Sequence, residues 1–157
     1  MNKEKPTYFL DSTTLIHAID KEAEYQEECL NIINKAAKGL INAATSLETL
    51  EEALFILSKL TSLQTAIRVT RDYLKLQKIK KYEMSQITFE NSLKLLEITP
   101  LKRPKDAINV ATMLEHNIAK IISEDEDYDK IDLVERVHPK DIENTKPPDK
   151  PKHNSDG

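Results

Sequence analysis

"RPKDAINVATMLEHNIAKIISEDEDYDKI", residues 103–131, changes its hydrophobic period part-way along. Pro104 suits the first turn of a helix, where a missing N–H costs nothing, and Ala107, Val110, Ala111 and Leu114 then recur at the spacing of one buried helical stripe. "IAKIIS", 118–123, is instead a short run rich in β-branched residues, as expected of a strand inside a sheet. Five acidic residues then fall within positions 124–129. Like charges this close repel one another, so either water screens them or a cation is expected there.

The same alternation continues upstream. "TYFL", 7–10, is β-prone and leads directly into Asp11-Ser12, which predicts a first strand with an acid at its C-terminal end. From residue 13 the apolar positions Leu15, Ile16, Ile19, Tyr25, Cys29, Ile32, Ile33 and Ala36 fit one or two amphipathic helices, closed by Gly39. "LINAA" reads as a second strand. "TSLETLEEALFILSKL" reads as a helix with Thr45 and Glu48 as a capping box and Leu47, Leu50, Leu54 and Leu57 on one face. Thr61 and Gln64 repeat the box ahead of a helix with Leu63, Ile67, Thr70 and Leu74 along one side. "YEMSQI" suggests a brief strand, "TFENSLKLLEI" a helix with Phe89, Leu93 and Leu96 inward, and "VERV" a last strand at the sheet's edge. Strands alternating with helices of this length indicate an α/β layer structure around a mostly parallel sheet. Sites in such sheets collect at the carboxyl ends of the strands.

Composition narrows the class. A chain of 157 residues fits one domain, and its 39% apolar and 32% charged residues with only two glycines favour a helix-rich surface laced with ion pairs. No apolar run approaches the roughly 18 to 20 residues of a membrane span, and "MNKEKPTYFL" lacks a secretory signal's apolar stretch, so a cytoplasmic protein with no membrane contact is expected. A net charge of −4 argues against a generic polyanion binder. Cys29, the lone cysteine, cannot form an internal disulfide and sits at helical spacing from Tyr25 and Ile32, as a core thiol would.

Three acids occupy comparable places: Asp11 after the first strand, Asp106 at the start of the helix behind Pro104, and Asp125 two residues past Ser123. Glu52 is a fourth, in the helix after the second strand, with Glu51 facing about 100° away. Each has an ordinary structural reading. Asp11 would serve as a helix cap, Asp106 would complement a helix dipole, and Glu51 and Glu52 would be solvated. Taken together they suggest a hard divalent cation such as Mg²⁺ or Mn²⁺, which prefers oxygen ligands. His17, His116, His138 and His153 are scattered along the chain, and no histidine or cysteine cluster suggests zinc.

"YFLDSTTLIHAI", "ATSLETLEEALFIL" and the 103–131 stretch, followed by "VERVHP", resemble the consecutive motifs of PIN-domain nucleases, in particular the VapC-like toxins of prokaryotic toxin–antitoxin pairs. The resemblance runs from about residue 7 to 139, and residues 61–99 match only in order and length. It implies a three-layer α/β/α PIN-like domain over residues 1–142 with a central, mostly parallel sheet of four or five strands. Residues 143–157, with three prolines and few apolar side chains, are expected to be a disordered tail. The resemblance also implies Asp11, Glu52, Asp106 and Asp125 as catalytic metal ligands, Asp127 as a secondary acid and Tyr128 as the aromatic packed behind it. Ser12 and Ser123 match the family's supporting hydroxyl residues. "LEEAL" leaves Glu51 open beside Glu52.

The activity so implied is metal-dependent endoribonuclease cleavage of RNA by the toxin of a toxin–antitoxin pair, with an antitoxin protein and a second copy of the chain as partners. Lys102, Arg103 and Lys105 would hold substrate phosphates or be solvent-facing loop charges, and the same alternatives apply to the lysines of 75–81. The alternative function is a catalytically silent PIN-like binding or scaffold module. Receiver domains fit less well, because Asp11 stands alone after the first strand and Lys120 lies inside one. Toprim-like nucleases expect a glutamate where this chain has "LDS".

Overall fold

The computed structural model describes residues 5–142. Among them β1 (Thr7–Leu10), β2 (Asn42–Ser46), β3 (Ile79–Tyr82), β4 (Lys120–Ile122) and β5 (Glu135–Val137) form one sheet in the order β3-β2-β1-β4-β5. Every neighbouring pair is parallel. Parallel neighbours require crossovers. These are α1 (Ser12–His17) with α2 (Gln26–Ala37), then α3 (Leu47–Leu60) with α4 (Leu63–Lys75), then α5 (Gln86–Ile98) with α6 (Pro104–Glu115). A 3-10 turn, Glu126–Lys130, lies between β4 and β5, and a second, Pro139–Asp141, follows β5.

Alternation along the strands divides the interior in two. Phe9, paired with Ala44 and Ile121 across the sheet, faces a core completed by Leu95, Val110, Met113 and Tyr128, on the side of α5 and α6. Leu10, Ala43 and Ile122 point the other way, into Leu15, Ile32, Leu50, Leu57 and Tyr73 from α1 to α4. Successive strand side chains must lie on opposite faces, so strands covered on both sides are apolar throughout. This is the three-layer α/β/α arrangement. The chain runs outward from β1 through β2 to β3 and then returns to β1's other side as β4, so the loops after β1 and β4 part and open a crevice there.

Helix ends follow local chemistry. Gly39 has φ +73°, and its N–H and that of Leu40 donate to the carbonyls of Ala36 (3.0 Å) and Lys35 (2.9 Å), which closes α2 in a Schellman turn. Ser46, Ser62 and Ser85 each accept the N–H three residues on, from Thr49, Thr65 and Thr88, at 3.1 Å. The caps of α3 and α4 are therefore the serines, one residue after the expected Thr45 and Thr61. A Thr hydroxyl three residues on meets each of these serine hydroxyls, at 2.9 and 3.0 Å, where a capping box would have a glutamate or glutamine.

Several expectations need correction. The third strand is "IKKY", not "YEMSQI": Ile79 alone is buried there, and an edge strand tolerates lysine where a central one would not. Lys81 Nζ donates to the carbonyls of Leu74 and Leu76 at the end of α4, and Lys78 Nζ to Lys38 at the end of α2 (3.2 Å). Those two lysines cap helix C-termini. In α4 the buried face is Ala66, Val69 and Tyr73, because the Tyr73 hydroxyl reaches inward to the Leu15 carbonyl (2.7 Å), while Leu63 and Leu74 are exposed. Phe89 and Leu93 of α5 are exposed and Leu95 is buried instead, and in α6 Met113 takes the place expected of Leu114. The expected tail, 143–157, lies outside the described residues. No helix among the described residues is long and apolar enough to cross a membrane.

Candidate active site

The crevice between β1 and β4 is where the acids gather. Asp11 continues β1, its N–H still bonded to the Ile122 carbonyl (3.2 Å), and its side chain is buried at the N-cap of α1. Oδ1 accepts the Ser12 N–H (2.8 Å) and Asn109 Nδ2 (3.3 Å), and Oδ2 accepts the Ser123 hydroxyl (2.7 Å). Ser123, at the exit of β4, in turn accepts the Asp125 N–H (3.0 Å), so one hydroxyl couples the ends of both strands. The capping role and a place among the acids are therefore compatible for Asp11.

Pro104 at the first position of α6 puts Asp106 in the first turn, only 1% exposed. Its Oδ1 accepts the Tyr128 hydroxyl (3.2 Å), while Oδ2 is buried without a hydrogen bond and faces Arg103 Nε at 3.6 Å. Asp125 caps the following 3-10 turn by accepting the Asp127 N–H (3.0 Å), and its other oxygen meets Arg103 Nη1 (3.3 Å). Asp106, Asp125 and Asp127 each present an oxygen within 4.8 Å of the other two. Asp127 is also paired with Lys130 (2.6 Å), whose hydrogen bond holds its carboxyl below the ordinary value.

Glu52 reaches the crevice from α3 and contacts the ammonium of Lys105, which also donates to Ser12 Oγ (3.0 Å). Glu51 is exposed. Both line a shallow hollow of about 380 Å³ with Glu48, Phe55, Lys105 and Asn109. Glu52 is thus joined to Asp11 through Lys105 and Ser12, whereas Asp106 and Asp125 share Arg103. The four expected acids form two linked pairs, each with its own internal cation. Lys102 is exposed.

Burial is the largest influence on Asp11 and Asp106 and raises both pKa values above the ordinary 3.8. Ser123, Lys105 and the Ser12 N–H oppose it at Asp11, and Arg103 opposes it at Asp106, while Asp125 adds to it at both. At an effective dielectric of about 20, two like charges about 4 Å apart repel by about 4 kcal/mol, so a cluster of this kind favours a cation or a proton. An all-oxygen donor set with an orphaned carboxylate oxygen fits a hard divalent ion.

Sequence reasoning missed Asn109. It stands one turn beyond Asp106 and is 1% exposed; Nδ2 serves Asp11 and the Tyr128 hydroxyl (3.1 Å), and Oδ1 accepts Thr49 Oγ1 (3.2 Å). The signal was a lone amide in an otherwise apolar helical stripe. Tyr128 is fully buried, and its hydroxyl links Asp106 to Asn109. Glu124 is not simply solvated, since it contacts His17 Nδ1, and Asp129 is held by Arg136 at 2.8 and 2.9 Å. Nor are the histidines and the cysteine all scattered: His17, Cys29 and Glu124 bring one nitrogen, one sulfur and one oxygen within 4.8 Å of one another. Burial, followed by Glu124 and Glu28, pushes the Cys29 thiol up to about 12.

The family model of the PIN domain matches residues 8–134, which spans all six helices and, but for one residue of β1, the first four strands, and stops just before β5. The chain belongs to the PIN domain family. Similar solved structures of this fold include the sarcin–ricin loop cleaving toxin VapC20 of Mycobacterium tuberculosis, at 15% identity and a TM-score of 0.69, covering 82% of this chain and 97% of that one. A toxin–antitoxin complex from Klebsiella pneumoniae matches at 24% identity and 0.59, over 84% and 97%. VapBC2 from Rickettsia felis, bound to a DNA fragment from its promoter, matches at 15% and 0.63, over 84% and 98%. No curated protein matches the chain by sequence. The five-stranded parallel sheet of this PIN domain is thus the VapC fold, covering nearly the whole of each toxin chain.

Proposed function

We propose that this PIN domain, residues 1–142, is a metal-dependent endoribonuclease that hydrolyses RNA phosphodiester bonds, and that it is the toxin of a toxin–antitoxin pair. The observation that carries this reading is the buried carboxylate of Asp106, whose Oδ2 makes no hydrogen bond, clustered with those of Asp125 and Asp127 at the carboxyl ends of a parallel sheet. Asp11, Glu52, Asp106 and Asp125 would hold Mg²⁺ or Mn²⁺, with Asp127 as a secondary acid. A bound ion of this kind lowers the pKa of an attacking water and neutralises charge growing on the phosphoryl oxygens.

The chain's own residues supply the positioning. Ser12, Ser123 and Asn109 fix both oxygens of Asp11, and Tyr128 fixes one of Asp106, so the carboxylates need little reorganisation. Arg103 is 55% exposed and Lys105 27%, and both now neutralise acids. Relieved of that task, they would bind substrate phosphates through salt-sensitive contacts. Exposed apolar side chains on α3 and α4, Phe55, Leu60 and Leu63, and on α5, Ile87, Leu93 and Ile98, support an antitoxin and a second copy of the chain as partners.

The test is manganese-dependent cleavage of a panel of RNAs by the wild type, Asp11→Asn and Asp106→Asn. Cleavage by the wild type and its loss in both folded variants is expected; equal activity in all three rejects the site. The internal pairing of the acids with Arg103 and Lys105 favours a second reading, a silent binding module. A wild type that binds RNA without cleaving any would support it.

A further inference from the structure

We propose that His17, Cys29 and Glu124 form a second cation site, suited to a thiophilic divalent ion of the zinc class, which ties α1 and α2 to the loop carrying Asp125. The three side chains come from separate places: the last turn of α1, the first turns of α2, and the residue after Ser123 at the exit of β4. Each offers one donor atom within 4.8 Å of the other two. Ligands about 2.0 to 2.3 Å from a zinc ion lie roughly 3.5 Å from one another, so the cluster already has nearly the required size.

The Cys29 side chain is fully buried, and its thiol makes no hydrogen bond among the described residues. A core thiol needs no partner, but this one lies beside an imidazole and a carboxylate that contact each other at the edge of the core. The donor types separate this site from the acidic one. Thiolate and imidazole favour zinc-like ions, whereas Asp11, Asp106 and Asp125 offer only oxygen. His17 and Glu124 are 30% and 21% exposed, so an ion can enter from solvent, water can complete a tetrahedron, and the two side chains can part slightly to admit it. Binding breaks the Cys29 S–H bond, forms a sulfur–metal bond and releases the proton to solvent.

The consequence is mechanical. Glu124 immediately precedes Asp125, whose N–H is held by Ser123 Oγ, the same hydroxyl that holds Asp11. An ion fixed by α1, α2 and Glu124 therefore stiffens the strand exit on which the acids are mounted. It does so without touching them, and the proposal is independent of the ribonuclease reading.

Cobalt(II) titration of the reduced full chain tests this. Cys29 is the chain's one cysteine, so a near-ultraviolet sulfur-to-cobalt charge-transfer band can arise from no other residue. The expected result is a band that saturates at one equivalent, is bleached by Zn²⁺, is absent in Cys29→Ser and survives in Asp106→Asn. His17→Ala and Glu124→Gln, at partly exposed positions where the fold is retained, should each weaken cobalt binding at least tenfold, and Zn²⁺ should raise the thermal midpoint of the wild type but not of His17→Ala. The absence of a band in the wild type, or a wild-type affinity in both His17→Ala and Glu124→Gln, overturns the proposal.

Discussion

Replacing Asp106 by asparagine should reverse the order of stability between wild type and variant according to whether a divalent ion is present. Without metal the wild type carries a buried carboxylate with one unsatisfied oxygen, and a buried polar atom left unpaired costs about 1–3 kcal/mol. Burial holds this carboxyl's pKa above 3.8, so keeping it ionised at neutral pH is a further cost of folding. Asparagine removes the charge, keeps a carbonyl for the Tyr128 hydroxyl and puts an amide donor in place of the orphaned oxygen, beside the carboxylates of Asp125 and Asp127, while Arg103 keeps its contact with Asp125. A gain of about 1–2 kcal/mol in EDTA is expected, the lower part of that range because Arg103 already offsets some of the charge. With Mn²⁺ at a hundred times its Kd the wild type gains about 2.7 kcal/mol, and the variant, missing a ligand, gains much less. Urea unfolding in EDTA and in excess Mn²⁺, at unchanged m-value, measures both differences. A variant less stable than wild type in EDTA, or stabilised equally by Mn²⁺, refutes the reasoning.

Tyr128→Phe leaves Asp106 Oδ1 and Asn109 Nδ2 short of a partner in a buried site, and should cost about 1–3 kcal/mol in urea unfolding with little loss of secondary structure. Asp11 and Asp106 both have folded pKa values raised above 3.8, so between 3.8 and those values the folded state binds more protons than the unfolded one. The stability of the metal-free protein should therefore fall as pH rises through that window and level off above it, and Asp11→Asn should flatten the profile measured by thermal unfolding at stepped pH. Gly39→Ala forces a side chain onto a φ of +73° and brings its Cβ to 3.1 Å from Lys78 Cδ, so a loss of about 1 kcal/mol in urea unfolding is expected.

The layer architecture was legible because strand segments covered on both faces must be apolar, as in "FL" of β1 and "II" of β4, and these alternate with amphipathic helices. Edges and exposed faces were not. "IKKY" hid as a strand because an edge needs only Ile79 buried, with Lys81 turned back to the carbonyls at the end of α4 and Lys78, just before the strand, reaching Lys38 at the end of α2. Leu63, Phe89, Leu93 and Leu114 share helical spacing with core residues, and only tertiary packing decides which side of a helix is covered. At the site, acids after strands could be read from position alone. Their partners could not: Asn109 meets Asp11 across 98 residues, Lys105 meets Ser12 across 93, and Glu124 meets His17 across 107.

One measurement bears most directly on the claim that the strand-end acids hold a catalytic ion: a crystal of the protein grown with Mn²⁺, with the metal located by anomalous scattering. The account predicts a peak between Asp11, Asp106 and Asp125, with oxygens at about 2.0–2.2 Å and Arg103 swung aside. No peak there at saturating Mn²⁺, with Arg103 still between Asp106 and Asp125, would contradict it.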